Sequence, residues 1–351
     1  MPRKNDLPPG PPPSRMYALK DGFWEETNVY QYTDGTQVVR KANKPASQPG
    51  PWAIPSLRKE IRYLQNAPSW FPPLLRSWDY RDDQGLHVGF EIPFYQDHQS
   101  AAQRVISGKS SQSEADTFQD NLAACLLHDL HTPQLNYAPL SNHFLETLTS
   151  TCNQLGKLSI FRPIIHESHV IINGNPYPGL RALMEQALEV QLFARADQGP
   201  QVRLHGDLIL ENILIPKTYS ANELILIDPV SVAGIDTGPA LMDLVKYESY
   251  ASGHLLAIRS EWLNAGPLKD GYRVLIDHEH DQLRAFRQIN WRRRFREAYL
   301  THHGPIDQPL YHLLDAYYAL VMAVNTTGVQ QWARVLLGLQ SLHRALHAPA
   351  T

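Results

Sequence analysis

Residues 202–215, VRLHGDLILENILI, limit what this chain can fold into more than any other stretch. They set His205, Asp207, Glu211 and Asn212 among runs of branched apolar residues. Polar groups placed between core-forming strands are costly unless they are paired or working. A second apolar run, residues 224–227, follows the turn-rich connection PKTYSANE and ends on Asp228. Two such runs joined by a turn predict a hairpin. The hairpin would put Asn212 at the start of one strand and Asp228 at the end of the other, at the same end of the ribbon. Two oxygen ligands there suit a hard divalent cation such as magnesium. Asp207, on the loop entering the hairpin, is placed to accept a proton from an attacking hydroxyl.

The rest of the chain separates into a β-rich part and a mostly helical part. NVYQY and TQVVR flank Asp34-Gly35, a strong hairpin signal. After a Pro/Gly loop, SLRKEIRYLQ carries Leu57, Ile61 and Leu64 at helical spacing, with Ser56 as the expected N-cap. Two more strands are expected around a turn at residues 82–85. Beyond residue 110 the patterns are helical, first with Phe118, Leu122, Leu126 and Leu130 on one face. HVIINGNPY reads as a short strand and turn inserted among them, and everything from Leu241 onward reads as helix. No internal repeat is present.

Bulk properties exclude several classes. A chain of 351 residues, 43% hydrophobic and 19% charged, suits two domains or one bilobal enzyme. A net charge of −3 gives no global attraction to nucleic acid or to a membrane. With only Cys125 and Cys152, a disulfide framework is not expected, and a reducing cytoplasm is the simpler location. No apolar run of membrane-spanning length occurs. The N-terminus lacks the apolar core of a signal peptide, and its five prolines between Pro8 and Pro13 predict an extended leader.

The pattern H-G-D-x-x-x-x-N, followed past the second apolar run by I-D-P, resembles the small-molecule kinases of the aminoglycoside phosphotransferase and choline kinase superfamily. The resemblance implies an α+β, bilobal protein-kinase-like fold with a small antiparallel N-terminal sheet carrying one helix and a larger, mainly helical C-terminal lobe. It implies a leader over 1–16, a nucleotide-binding lobe over 17–96 and a catalytic and substrate-binding lobe over 97–351. It implies ATP, or another nucleoside triphosphate, and magnesium as cofactors. Asp207 matches the catalytic aspartate, Asn212 and Asp228 match the metal ligands, and His205 and Gly206 would shape the loop. DPVSVAGIDTGPALMDLVKYESYASG resembles the downstream G-D-P-x-x-D-L-A-K region, with Asp243 at the structural aspartate. The expected structural job of Asp243 is a helix N-cap. The sequence departs from the pattern at TGP, and at Glu211, which is either a surface residue or an extra carboxylate near the metal.

The same family holds nucleotide phosphates with a strand lysine paired to a helix glutamate. Lys41 ends QVVRKA and Glu60 is the only acid in SLRKEIRYLQ. Arg40 and Lys44 compete for the lysine role, and strand alternation turns Arg40 the other way. Gly22 is the single glycine where a phosphate-covering loop belongs. FEIPFY follows the last strand of the small lobe, so Glu91, Ile92 and Phe94 are the expected base-binding segment, acting through backbone groups.

For the acceptor, residues from Leu244 onward carry twelve Lys+Arg against nine Asp+Glu, a poor match for a polycationic aminoglycoside. A choline-type substrate would want an aromatic cage, and Trp291, Trp332, Tyr299, Tyr311, Tyr317 and Tyr318 could supply rings or simply core. Arg292, Arg293, Arg294 and Arg296 form either a solvated face or a surface for an anion. A sugar, polyol or natural-product alcohol is the first choice, an aminoglycoside or choline-like amino alcohol the alternative. A pseudokinase scaffold is the alternative of another class, weakened by the filled base and metal positions. No nucleic-acid or membrane partner is expected.

Overall fold

The computed structural model describes residues 14–21, 25–44, 53–83, 85–218, 223–230 and 234–349. Most of the expected leader, residues 1–13, and Gly22 lie outside the described residues. The chain divides into two compact units. One comprises residues 1–101, 205–207 and 211–236; the other comprises 102–204, 208–210 and 237–351. The first unit thus contains the segments bearing Asp207, Asn212 and Asp228 together with the N-terminal sheet.

That sheet has five antiparallel strands, β1 (Arg15–Asp21), β2 (Glu25–Gln31), β3 (Gln37–Asn43), β4 (Arg76–Asp82) and β5 (Gly85–Pro93), in the order β1-β2-β3-β5-β4. The Asp34-Gly35 turn closes β2 on β3, with Asp34 Oδ1 accepting from the Thr36 N–H at 2.9 Å. Helix α1 (Ala53–Gln65) buries Leu57, Glu60, Ile61 and Leu64 and packs on β3 and β5. It starts three residues before Ser56, which is therefore inside the helix and not its cap. Pro55 lies in the first turn, where a missing N–H leaves no helical bond unmade. A second, three-stranded sheet joins His98–Ser100 and Ile225–Leu226 to either side of Ile213–Pro216. Its pairing Ile213↔Leu226 is the hairpin expected from the two apolar runs.

The second unit is mainly helical. Ser111 and Glu114 form a capping box at the start of Gln112–Ala124, which continues into a π-helical turn, Cys125–Leu130. The expected stripe of Phe118, Leu122, Leu126 and Leu130 is buried. The helices Gln308–Ala323 and Gly328–His347 pack together, the former capped by Asp307 accepting from the Leu310 N–H. One expectation fails here. Leu263–Leu268 and Gly271–Ile276 are antiparallel strands, not helix, and join Val170–Ile172 and Asn175–Tyr177 in a four-stranded sheet. Asp270-Gly271 makes their turn, the same dipeptide signal as Asp34-Gly35.

Candidate active site

The segment bearing Asp207 is held by a buried histidine and a glycine. His205 is fully buried, its ring stacked on Phe71 with centroids 5.7 Å apart. Its carbonyl accepts from the Val230 N–H at 2.7 Å, and its Nδ1 accepts from the Asp207 N–H at 3.2 Å. Gly206 adopts φ +79°, and a Cβ there would lie 2.6 Å from the Ile235 carbonyl oxygen. Only glycine meets both demands without strain. Asp207 is 6% exposed. The Asn212 side-chain N–H₂ donates to the Asp207 carbonyl at 2.9 Å and to Asp207 Oδ2 at 3.2 Å. The amide nitrogen therefore faces Asp207 and the amide oxygen faces away.

The Ile227 N–H donates to the Asn212 carbonyl at 2.9 Å, so the hairpin ladder brings Asp228 to the end where Asn212 sits. Asp228 has left-handed backbone, φ +53°, and its Oδ1 lies 3.4 Å from Lys41 Nζ. Lys41 also meets Glu60 Oε2 at 2.8 Å and Glu25 Oε1 at 3.6 Å. Three carboxylates share one buried ammonium. Burial pulls the Lys41 pKa down, but Asp228, Glu60 and Glu25 outweigh it and hold the ammonium well above its ordinary range. Glu60 is the most buried of the three acids, and burial pushes its carboxyl up to about 8 against the pull of Lys41.

The first unit holds two groups of contacts, Lys41 with Glu60 and Asp228, and Asp207 with Asn212, linked by the backbone bond from Ile227 to Asn212. Arg40, the competitor for the lysine role, is committed to the opposite face of β3. Its Nη2 is 2.6 Å from Glu91 Oε1, and its guanidinium lies 4.0 Å from the Tyr30 ring centre. Lys44 lies past the end of β3. The residues expected to bind the base, Glu91, Ile92 and Phe94, lie at or just past the end of β5. The Glu91 carbonyl accepts from the Leu75 N–H at 2.9 Å, Ile92 pairs with Val39, and the Phe94 N–H donates to the Gln37 carbonyl at 3.3 Å. These groups are engaged inside the sheet. Glu211 sits half-buried in a 3₁₀ turn, Leu210–Asn212.

Glu25 was not anticipated, although alternation could have found it. Thr27 pairs with Lys41 and Glu25 with Asn43, so Glu25 and Lys41 share a face. Lys59 is a second omission: its ammonium donates to the Gly234 carbonyl at 2.6 Å, just downstream of Asp228.

Asp243, in the second unit, is fully buried but is not an N-cap. Ala240 caps the helix Leu241–Ala251, and the Asp243 N–H already donates to the Ala240 carbonyl. The Asp243 carboxylate instead lies 3.2 Å from His131 Nε2. The basic run begins the helix Arg293–His303, and three of its arginines are paired: Arg293 with Asp116, Arg294 with Asp120, and Arg296 with Glu248.

Asp228 and Asn212 offer a carboxylate and an amide oxygen, the hard donors a magnesium ion takes. Among the described residues no group of three or more His, Cys, Asp or Glu forms a preassembled metal cage. Such a donor set suits an ion whose remaining ligands are water and substrate phosphates.

No protein-family model matches the chain, and no curated protein matches it. Solved structures do. A putative fructosamine-3-kinase from Thermobifida fusca is similar at 15% identity and TM-score 0.52, over 95% of this chain and 94% of that one. An amicoumacin kinase solved with AMP-PNP, Ca²⁺ and its antibiotic is similar at 10% identity and TM-score 0.51, over 94% and 88%. The chain has the protein-kinase-like fold of the small-molecule kinases. It is an α+β protein, with an antiparallel N-terminal sheet and a helical C-terminal region.

Proposed function

We propose that the protein is an ATP-dependent phosphotransferase acting on a hydroxyl of a small molecule. The observation that carries this reading is the convergence of Asp207, Asn212, Asp228 and the Lys41–Glu60 pair within one compact unit. Asp207 orients the acceptor hydroxyl and takes its proton as the new O–P bond forms and the bond to the ADP oxygen breaks. Asn212 and Asp228 would hold a divalent cation, which neutralises phosphate charge when bound. Lys41, fixed by Glu60, holds the phosphates. The rate gain then comes mainly from positioning and charge neutralisation. The base would be read by backbone next to β5. The register turns the Pro93 carbonyl away from β3, beyond Arg76, where β4 begins opposite Glu91. Glu91, Ile92 and Phe94 remain the proposed base-binding segment, with the Pro93 carbonyl on the open side of the strand. The nucleotide analogue and calcium ion bound by the amicoumacin kinase support nucleotide and divalent-cation use.

A neutral acceptor, a sugar, polyol or natural-product alcohol, is favoured by what surrounds the charged and aromatic residues of the second unit. Arg293, Arg294 and Arg296 are neutralised by their own carboxylates, which argues against an anion. Trp291, Tyr299 and Tyr317 are buried, and Trp332 packs on Phe161 and Tyr272, so these rings serve the core before any cation. We propose no nucleic-acid or membrane partner; among the described residues no helix is long and apolar enough to cross a membrane. Cys125 and Cys152 are free and buried, in keeping with the cytoplasmic location we propose.

The test is an ATP-consumption screen over sugars, amino alcohols, aminoglycosides and nucleosides. Asp207→Asn should abolish turnover and preserve the thermal shift given by ATP. Near-normal turnover in that variant would sink the base assignment. No consumption and no ATP-dependent shift in the wild type would favour the scaffold reading.

A further inference from the structure

Lys41 is surrounded by more negative charge than a phosphate-holding lysine needs. Glu60 is its buried partner at 2.8 Å, and Asp228, at 3.4 Å, is assigned above to the metal. Glu25 has neither role. Its side chain is 28% exposed, and its Oε1 lies 3.6 Å from Lys41 Nζ on the same face of the β2–β3 ladder. It begins the strand that leaves the segment where a phosphate-covering loop is expected, so its carboxylate faces the atom that phosphates must reach. With Asp228 and Glu25 beside it, the Lys41 ammonium offers no net positive charge to a bare triphosphate even where Glu60 holds a proton.

We propose that Glu25 is a specificity-determining residue that makes the site accept nucleotide complexed with a divalent cation and reject the metal-free form. The inference rests on the phosphotransferase reading. Its carboxylate repels uncompensated phosphate charge beside Lys41, and a cation held at Asn212 and Asp228 lowers that repulsion. The discrimination is thus set in binding, before any chemistry.

Titration calorimetry with AMP-PNP, in excess EDTA and in excess Mg²⁺, reads this directly. The wild type should bind the magnesium complex and bind the metal-free form far more weakly. Glu25→Gln should tighten the metal-free Kd by about tenfold and change the magnesium Kd by less than about threefold. Glu26→Gln, one residue along on the opposite face of β2, removes the same charge and should move neither. The proposal is overturned if Glu25→Gln leaves the ratio of the two Kd values unchanged, or if Glu26→Gln shifts it equally. If the wild type binds neither form, the nucleotide reading itself fails; if it binds both and only the ratio is insensitive to Glu25, that reading stands and the role of Glu25 falls.

Discussion

Gly206 provides the sharpest test of how the loop bearing Asp207 is built, because Gly35 serves as its control. Both have left-handed backbone, φ +79° and φ +85°. A Cβ on Gly35 meets nothing within 4 Å, whereas one on Gly206 lies 2.6 Å from the Ile235 carbonyl oxygen and 3.2 Å from Val230 Cα. Gly35→Ala should therefore cost only the left-handed conformation, about 1 kcal/mol. Gly206→Ala carries that cost and a clash with backbone that cannot rotate away, which adds about 1–3 kcal/mol as overpacking. The expected total is about 2–4 kcal/mol. Relief requires the backbone at residues 205–207 to move, and a shift of about 1 Å at Asp207 would lower turnover about a hundredfold. ATP-dependent thermal shift should survive, since Lys41 and Glu60 sit on the sheet and α1. Urea unfolding followed by tryptophan fluorescence gives the stabilities, and the ATP-consumption assay gives the turnover. Equal destabilisation by the two alanines, with full turnover in Gly206→Ala, would refute this account of the loop.

Two further outcomes follow from charges the fold buries. Glu60 titrates near 4.5 when unfolded and at about 8 when folded, so the folded state holds the extra proton between those values. Its stabilising contribution is complete below pH 4.5 and is lost as pH rises towards 8; Glu60→Gln should flatten that decline in urea unfolding measured from pH 5 to 8, and an unchanged slope would reject the assignment. In the second unit, Glu248 is 2% exposed and accepts from Arg296 Nε at 2.6 Å and from the Tyr311 hydroxyl at 2.8 Å. Arg296→Met should cost about 3 kcal/mol by stranding that carboxylate, and adding Glu248→Gln should return most of it; a loss unaffected by the second change would point to packing instead.

The parts of this fold legible in the sequence are those with a local period. Alternation in β3 separates Lys41 from Arg40, and the structure puts them on opposite faces with Glu60 and Glu91 as their separate partners. The two apolar runs placed Asn212 and Asp228 at one end of a hairpin because ladder geometry allows little else. What was not legible depended on partners distant in the chain. For Arg293 and Arg294 the sequence leaves two readings open, and their exposed pairing agrees with the solvated face; the carboxylates that decide it, Asp116 and Asp120, lie more than 170 residues upstream, where no spacing rule reaches. Asp243 looked like a cap because caps are local, and its partner His131 is 112 residues away. The 263–276 hairpin is different: its Asp270-Gly271 turn carries the same local signal as Asp34-Gly35, set between helical patterns on either side.

The backbone around Asp228 bears on whether the site works or is a relic. Asp228 and Val230 both adopt left-handed φ, +53° and +52°. For a β-branched residue this is a true outlier, and each such residue costs about 1–3 kcal/mol. The surroundings hold the strain in place: the Val230 N–H is bound to the carbonyl of fully buried His205, and Val230 itself is 1% exposed. Glycine at residue 228 would adopt the same φ without the steric cost. It would also delete the carboxylate that sits 3.4 Å from Lys41, at the hairpin end shared with Asn212. A scaffold with no reaction to position gains nothing by keeping a strained aspartate there. We propose that this turn serves the phosphotransferase reading, holding the carboxylate proposed for the metal beside the lysine proposed for the phosphates.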